Sequence, residues 1–177
     1  MSVAARDSNR GLIIGACCAA IGTLVPVALH QLGAVGHLPD PPCPMFDSDR
    51  ITESAMAHPF GVPDSLPGLA SYGTTLGLAL TSTRCRPARL LLGGKLVLDS
   101  AAAAFNATRQ VTRFGKLCSW CTGTALATAV MVYAGRGVIA ESARCVARRC
   151  TTPGCQGLRK SIASEPNTAS PTVIHST

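Results

Sequence analysis

The residues in this sequence best suited to chemistry are Cys118 and Cys121, set in Lys116-Leu-Cys118-Ser-Trp-Cys121-Thr at the head of a long apolar run. Cysteines at this spacing on a helix start can close a small disulfide ring. The free N–H groups and positive dipole end found there favour the thiolate, the reactive form. The pattern fits a dithiol that exchanges electrons; the same spacing also serves a zinc knuckle or a pair of buried packing cysteines. From Thr122 to Ile139 the one formal charge is Arg136, so the helix that begins with the dithiol continues as lipid-compatible sequence. This suggests a thiol site at a membrane surface, facing a lipid-soluble oxidant.

Other reactive side chains are less organised. The nine cysteines scatter over several segments and do not make a compact disulfide framework. Cys17 and Cys18 read as packing residues in a helix, and Cys43 stands in a proline-rich stretch. Cys145, Cys150 and Cys155 follow at five-residue steps among arginines with no fourth ligand nearby, which predicts a reduced set without a metal. Lys95 and Asp99 lie four apart inside an apolar segment, so on a helix they share a face and can pair, either as a bundle-internal structural pair or in proton movement.

The elements that must position the dithiol are helices in a bilayer. With 47% hydrophobic and 14% charged residues, the chain has the composition of a membrane protein, and its 4% aromatic content predicts packing through small residues. The net charge of +7 comes from residues at the edges of apolar segments, without interleaved aromatics, and so reads as topology signal and not as a nucleic-acid surface. The sequence predicts an all-α four-transmembrane-helix bundle. Its spans run from Gly11 to about Val35, Leu66 to about Ser82, Leu90 to about Ala107, and onward from the dithiol. Prolines from Pro39 to Pro44 exclude a helix there, and Asp47 to Ala57 is expected as one short helix in an extracytoplasmic loop. Residues 1–10 form a cytoplasmic N-terminus, 11–140 the membrane domain, and 141–177 a cytoplasmic tail that is basic and then disordered. The N-terminus, the 84–89 turn and the tail from Arg136 hold eleven Lys or Arg against four in the other two loops. This excess predicts both termini cytoplasmic and the dithiol at the opposite, oxidising face.

Four helices, a loop after the first and Cys-x-x-Cys opening the fourth together resemble the vitamin K epoxide reductase family. Ser48, Ile51, Ser54, Ala57, Phe60-Gly61-Val62-Pro63, Gly68 and Tyr72 fall on its loop and second-helix signature, and His30 and Cys118-Ser-Trp-Cys121-Thr also look like family features. The likeness runs from about residue 11 to 140. It implies a membrane thiol:quinone oxidoreductase whose substrate is a quinone of menaquinone, ubiquinone or phylloquinone type. Carried over, Cys121 is the quinone-side cysteine and Cys118 the reachable member that exchanges with donors. A thioredoxin-fold protein on the extracytoplasmic side, or a small thiol, is the implied electron source. Ser54, Phe60, Asp64, Tyr72 and Trp120 are the implied quinone contacts, and Trp120 also suits an interfacial anchor.

The departures from the family pattern bear on the electron path. Ser48 stands where the family's second loop cysteine is expected, leaving Cys43 as the one loop thiol available to relay electrons. Asp64 takes the place of a quinone-contacting asparagine and is expected as an exposed loop carboxylate. Ala125 takes the place of a tyrosine. These differences admit a second reading, a non-catalytic membrane subunit or quinone-binding module of the same fold that has lost the loop-cysteine shuttle.

Overall fold

The computed structural model describes residues 3–150. In chain order the helices are α1 (Val3–Gln31), the short α2 (Ser48–Thr52), α3 (Ser65–Thr81), α4 (Arg86–Phe114) and α5 (Ser119–Cys150), with 3₁₀ turns at Ala55–Ala57 and Pro59–Gly61. No sheet forms among the described residues, and the extended pairing found there is a single parallel bridge between Phe46 and Leu117. Among the described residues three helices are long and apolar enough to cross a membrane, within Asn9–Gln31, Arg86–Phe114 and Ser119–Arg148, and the chain is a membrane protein. The 17 residues of α3 rise about 26 Å, just under a hydrocarbon core of about 30 Å.

Met1–Ala143 forms one compact unit, and a second begins at Arg144. Cys155 and the Ser/Thr/Pro-rich end, for which the sequence predicts disorder, lie outside the described residues.

The helices start and stop for local reasons. Three of them place bulky or small apolar residues at helical spacing along the core: Ile13, Cys17, Ala20 and Leu24 of α1, Leu92 and Leu96 of α4, Met131 and Ala134 of α5. α1 ends at Gln31, earlier than Val35, because Gly33 takes a left-handed φ of 77° and the N–H of Ala34 turns back to the carbonyl of Leu29 at 2.8 Å. α2 stops at Thr52, short of Ala57. Ser54 donates its hydroxyl to the Ile51 carbonyl (2.7 Å) and leaves the helix in an extended conformation, a local hydrogen bond that competes with the helical ladder.

α4 is longer than its apolar stretch. Pro87 in its first turn has the fixed φ a helix start needs. Beyond Ala107 the helix continues through polar residues to Gly115, whose φ of 62° closes it with a hydrogen bond to Val111 O at 3.1 Å. The apolar pattern marks the membrane, whereas the glycine marks the end of the helix.

Polar side chains also join the helices. Thr23 bonds Thr124 (2.8 Å), Tyr72 bonds Thr128 (2.7 Å), and Ser142 donates to the Leu90 carbonyl (2.7 Å). Lys95 and Asp99 do pair, and Asp99 also accepts the hydroxyls of Ser71 at 2.8 Å and Thr75 at 2.6 Å. Gly93 lets α4 approach α5 closely, since a Cβ there would fall 2.6 Å from the Val138 carbonyl and against the Ser142 hydroxyl. Gly93→Ala is therefore expected to cost about 1–3 kcal/mol through overpacking, read as a lower melting temperature in detergent. An unchanged melt would mean that the two helices separate at no cost.

Candidate active site

Cys118 caps α5. Its carbonyl accepts the first helical hydrogen bond, from Thr122 N–H at 2.9 Å, and its sulfur accepts the N–H of Cys121 at 3.1 Å. The sulfur thus meets donors that would otherwise be orphaned at a helix start. The thiol is held below its ordinary pKa, foremost by a hydrogen bond from the Cys121 thiol. Burial opposes this, while Ser48 and the backbone N–H groups of Cys121 and Trp120 assist it. Both cysteines are unpaired in this structure.

The segment before Cys118 is tied to the loop after α1. Asp47 N–H bonds Leu117 O (3.0 Å), Leu117 N–H bonds Met45 O (2.9 Å), and Lys116 pairs with Asp47 at 3.1 Å. This pairing lays residues 39–48 over the helix start. Asp40 accepts the N–H and the hydroxyl of Ser48, each at 2.6 Å, together with the Ser119 hydroxyl, and the Ser119 N–H donates to the Ser48 oxygen at 3.1 Å. Burial works against the Asp40 charge, but the hydrogen bonds from Ser119 and Ser48 outweigh it and lower its pKa. The indole N–H of Trp120 donates to Pro39 O at 3.2 Å, on the same lid. As a result Cys118 is fully buried, and it is the half-buried Cys121 that faces open space. Cys118, which its helix position marks as the reachable member, is thus covered by the loop in this structure.

Cys121 lies on the wall of a cavity of about 230 Å³ enclosed by α1, α3, α4 and α5, whose lining is largely apolar, with Leu24, Val27, Gly68, Ala102 and Ala103 among its members. Asp64, Tyr72, Asn106, Gln110 and Asp99 supply polar groups to the same wall. Gln110 touches both cysteines: its carbonyl oxygen accepts the Cys118 N–H at 3.1 Å, and its side chain reaches the Cys121 thiol. Asp64 is half-buried, in contrast to the exposed carboxylate expected, because α3 begins directly after it and Gln31 of α1 donates to it at 2.9 Å. Burial raises its pKa, and the Gln31 hydrogen bond and the charges of His58 and Arg109 oppose that rise.

Of the residues singled out from the sequence, the cavity brings together Cys121, Asp64 and Tyr72. Ser54 lines a smaller adjoining hollow with Asp64, Asn106, Arg109 and Gln110. Phe60 is fully exposed, with a left-handed φ of 59°, and like Trp120 it is not on the cavity wall. The loop residue that meets Cys118 is Ser48, while Cys43 is exposed in a tight turn of the same loop. Sequence reasoning missed Gln110, Asp40 and Ser119. A loop aspartate and a helical glutamine carry no spacing signal, and the one available clue was that α4 could extend past its apolar part.

The family model described as the vitamin K epoxide reductase family matches residues 12–135. The chain belongs to the vitamin K epoxide reductase family. No curated protein and no solved structure matches it. Family membership carries a membrane redox activity related to quinones, that of an oxidoreductase. In this family member the dithiol, an apolar cavity touching one of its sulfurs and a lid over the other make up the candidate site.

Proposed function

We propose that the chain is a membrane thiol:quinone oxidoreductase that takes electrons from an extracytoplasmic thiol through Cys118 and Cys121 and passes them to a quinone. The observation that carries this reading is the unequal setting of the two sulfurs, Cys121 on the wall of the cavity and Cys118 outside it. In the first half-reaction an external dithiol reduces the Cys118–Cys121 disulfide and is itself oxidised. In the second, the Cys121 thiolate adds to the quinone and Cys118 attacks the Cys121 sulfur. The disulfide re-forms, and two electrons and two protons leave on the hydroquinone.

On this reading α3 is the fourth span, both termini are cytoplasmic, as the basic-residue excess favours, and the lid faces the oxidising compartment. The donor is a thioredoxin-fold protein or a small thiol, and Cys43 is the loop thiol available to relay electrons from it; the quinone is of menaquinone, ubiquinone or phylloquinone type. Purified protein in detergent should reduce such a quinone with dithiothreitol. Binding without turnover would instead favour a quinone-binding module without a shuttle, which Ser48 against Cys118 supports because a hydroxyl cannot relay electrons.

Asp64 gives the reaction a pH dependence. In its neutral form it can donate a hydrogen bond to a quinone oxygen, and burial favours that form. Its folded pKa is raised, so this contribution is complete in acid and fades as pH climbs through the raised value. Turnover is expected to decline along that limb, and Asp64→Asn, which keeps a donor at every pH, should flatten it. A limb of the same shape in both proteins would remove Asp64 from the reaction.

A further inference from the structure

We propose that Asp40 is a positioning residue of the thiol site: through Ser48 and Ser119 it fastens the loop over the Cys118 sulfur, so that an external thiol meets Cys118 only when these hydrogen bonds open. The proposal rests on the reading that Cys118 exchanges with an outside donor, but the latch itself can be observed without any quinone.

The geometry points to Asp40 because one carboxylate joins two elements far apart in sequence. It accepts from the N–H and hydroxyl of Ser48 at the start of α2, and from the hydroxyl of Ser119 in the first turn of α5. Ser48 is itself fully buried and lies against both Ser119 and Cys118. If Asp40 lets go, Ser48 and Ser119 lose a shared anionic acceptor, and the cover on the sulfur loses its charged tie to the first turn of α5. Nearby ties have other targets: Asp47 bonds Lys116, and Asp49 bonds His37 and the Leu38 N–H. None of these reaches Ser119. The latch also changes what the donor must be, since Cys43, Met45 and Pro39 around it are exposed. A donor protein can engage the loop before it reaches the sulfur, whereas a small thiol must wait for the loop to open by itself.

The test is site-resolved alkylation of the full reduced chain in detergent by N-ethylmaleimide, read by mass spectrometry. Two cysteines of the same molecule act as references, exposed Cys43 and fully buried Cys17. In the wild type Cys118 should react far more slowly than Cys43. Asp40→Asn and Asp40→Ala should accelerate Cys118 by about tenfold or more, because hydrogen bonds to a charged acceptor are among the stronger ones. Cys17 should stay as protected as it is in the wild type, which a general loosening of the fold would not permit. Ser119→Ala, which removes one of the three contacts, should give a smaller acceleration, and Asp47→Asn little or none. Equal Cys118 rates in wild type and both Asp40 variants would overturn the latch, as would acceleration shared by Cys17 in the Asp40 and Ser119 variants alike. A latch that opens as expected in a protein without quinone turnover would leave the latch standing and remove the oxidoreductase reading.

Discussion

Cys121→Ala is expected to bring thiol-driven quinone reduction down to the uncatalysed background, a loss on the order of 10³-fold or more. The effect is large because Cys121 is the sulfur on the cavity wall, and no neighbour can take its place: Cys118 is fully buried and the polar side chains of the wall are carboxyls, amides, hydroxyls and a phenol. Cys118→Ala should also stop turnover, but at a different point. Its Cys121 thiol remains able to add once to a quinone, with no partner sulfur to complete the transfer. Stopped-flow absorbance of the quinone separates the two, since the Cys118 variant should show at most one adduct per chain and the Cys121 variant none. Wild-type turnover in Cys121→Ala would end the dithiol mechanism and leave quinone binding as the activity to explain.

Asp99→Ala should destabilise the bundle by about 3–5 kcal/mol, the cost of leaving a buried charge without its partner. The Lys95 side chain is 15% exposed and that of Asp99 3%, so the ammonium would be left largely buried without its carboxylate. Ser71 and Thr75 would each lose an acceptor as well. Replacing both charges, in Lys95→Met with Asp99→Leu, removes the isolated ammonium and should recover most of the loss. The half-exposed pair of Arg89 and Glu141 provides the contrast: Glu141→Ala is expected to cost only about 0–1 kcal/mol. Unfolding of the detergent-solubilised protein measures all three, and equal losses in the single and double Asp99 variants would mean that charge pairing is not what matters there.

Much of this was legible from residue types and spacing. Helix-period apolar runs specify spans because a backbone in lipid must satisfy its own hydrogen bonds, and the helix is the local way to do so. The Lys95–Asp99 pair could be read from a separation of four, since on a helix that spacing sets two side chains on one face. The ends of elements were less legible. The hydropathy of α4 fades at Ala107, yet its hydrogen bonds run on to Gly115, and only that polar extension carries Gln110 to the two sulfurs.

Sequence by itself determined the chemistry at hand: a dithiol at a helix start, the membrane that receives the helix, and family membership through motifs that lie within short segments. Each of these depends on contacts between residues a few positions apart. Tertiary structure alone decided that the Cys118 sulfur is covered, because Asp40, Ser48 and Ser119 meet across separations of 8 and 79 residues. The same holds for Asp64, whose burial depends on Gln31 from another helix. No local pattern encodes such meetings, since loop closure brings together residues whose types, taken singly, are those of any polar loop.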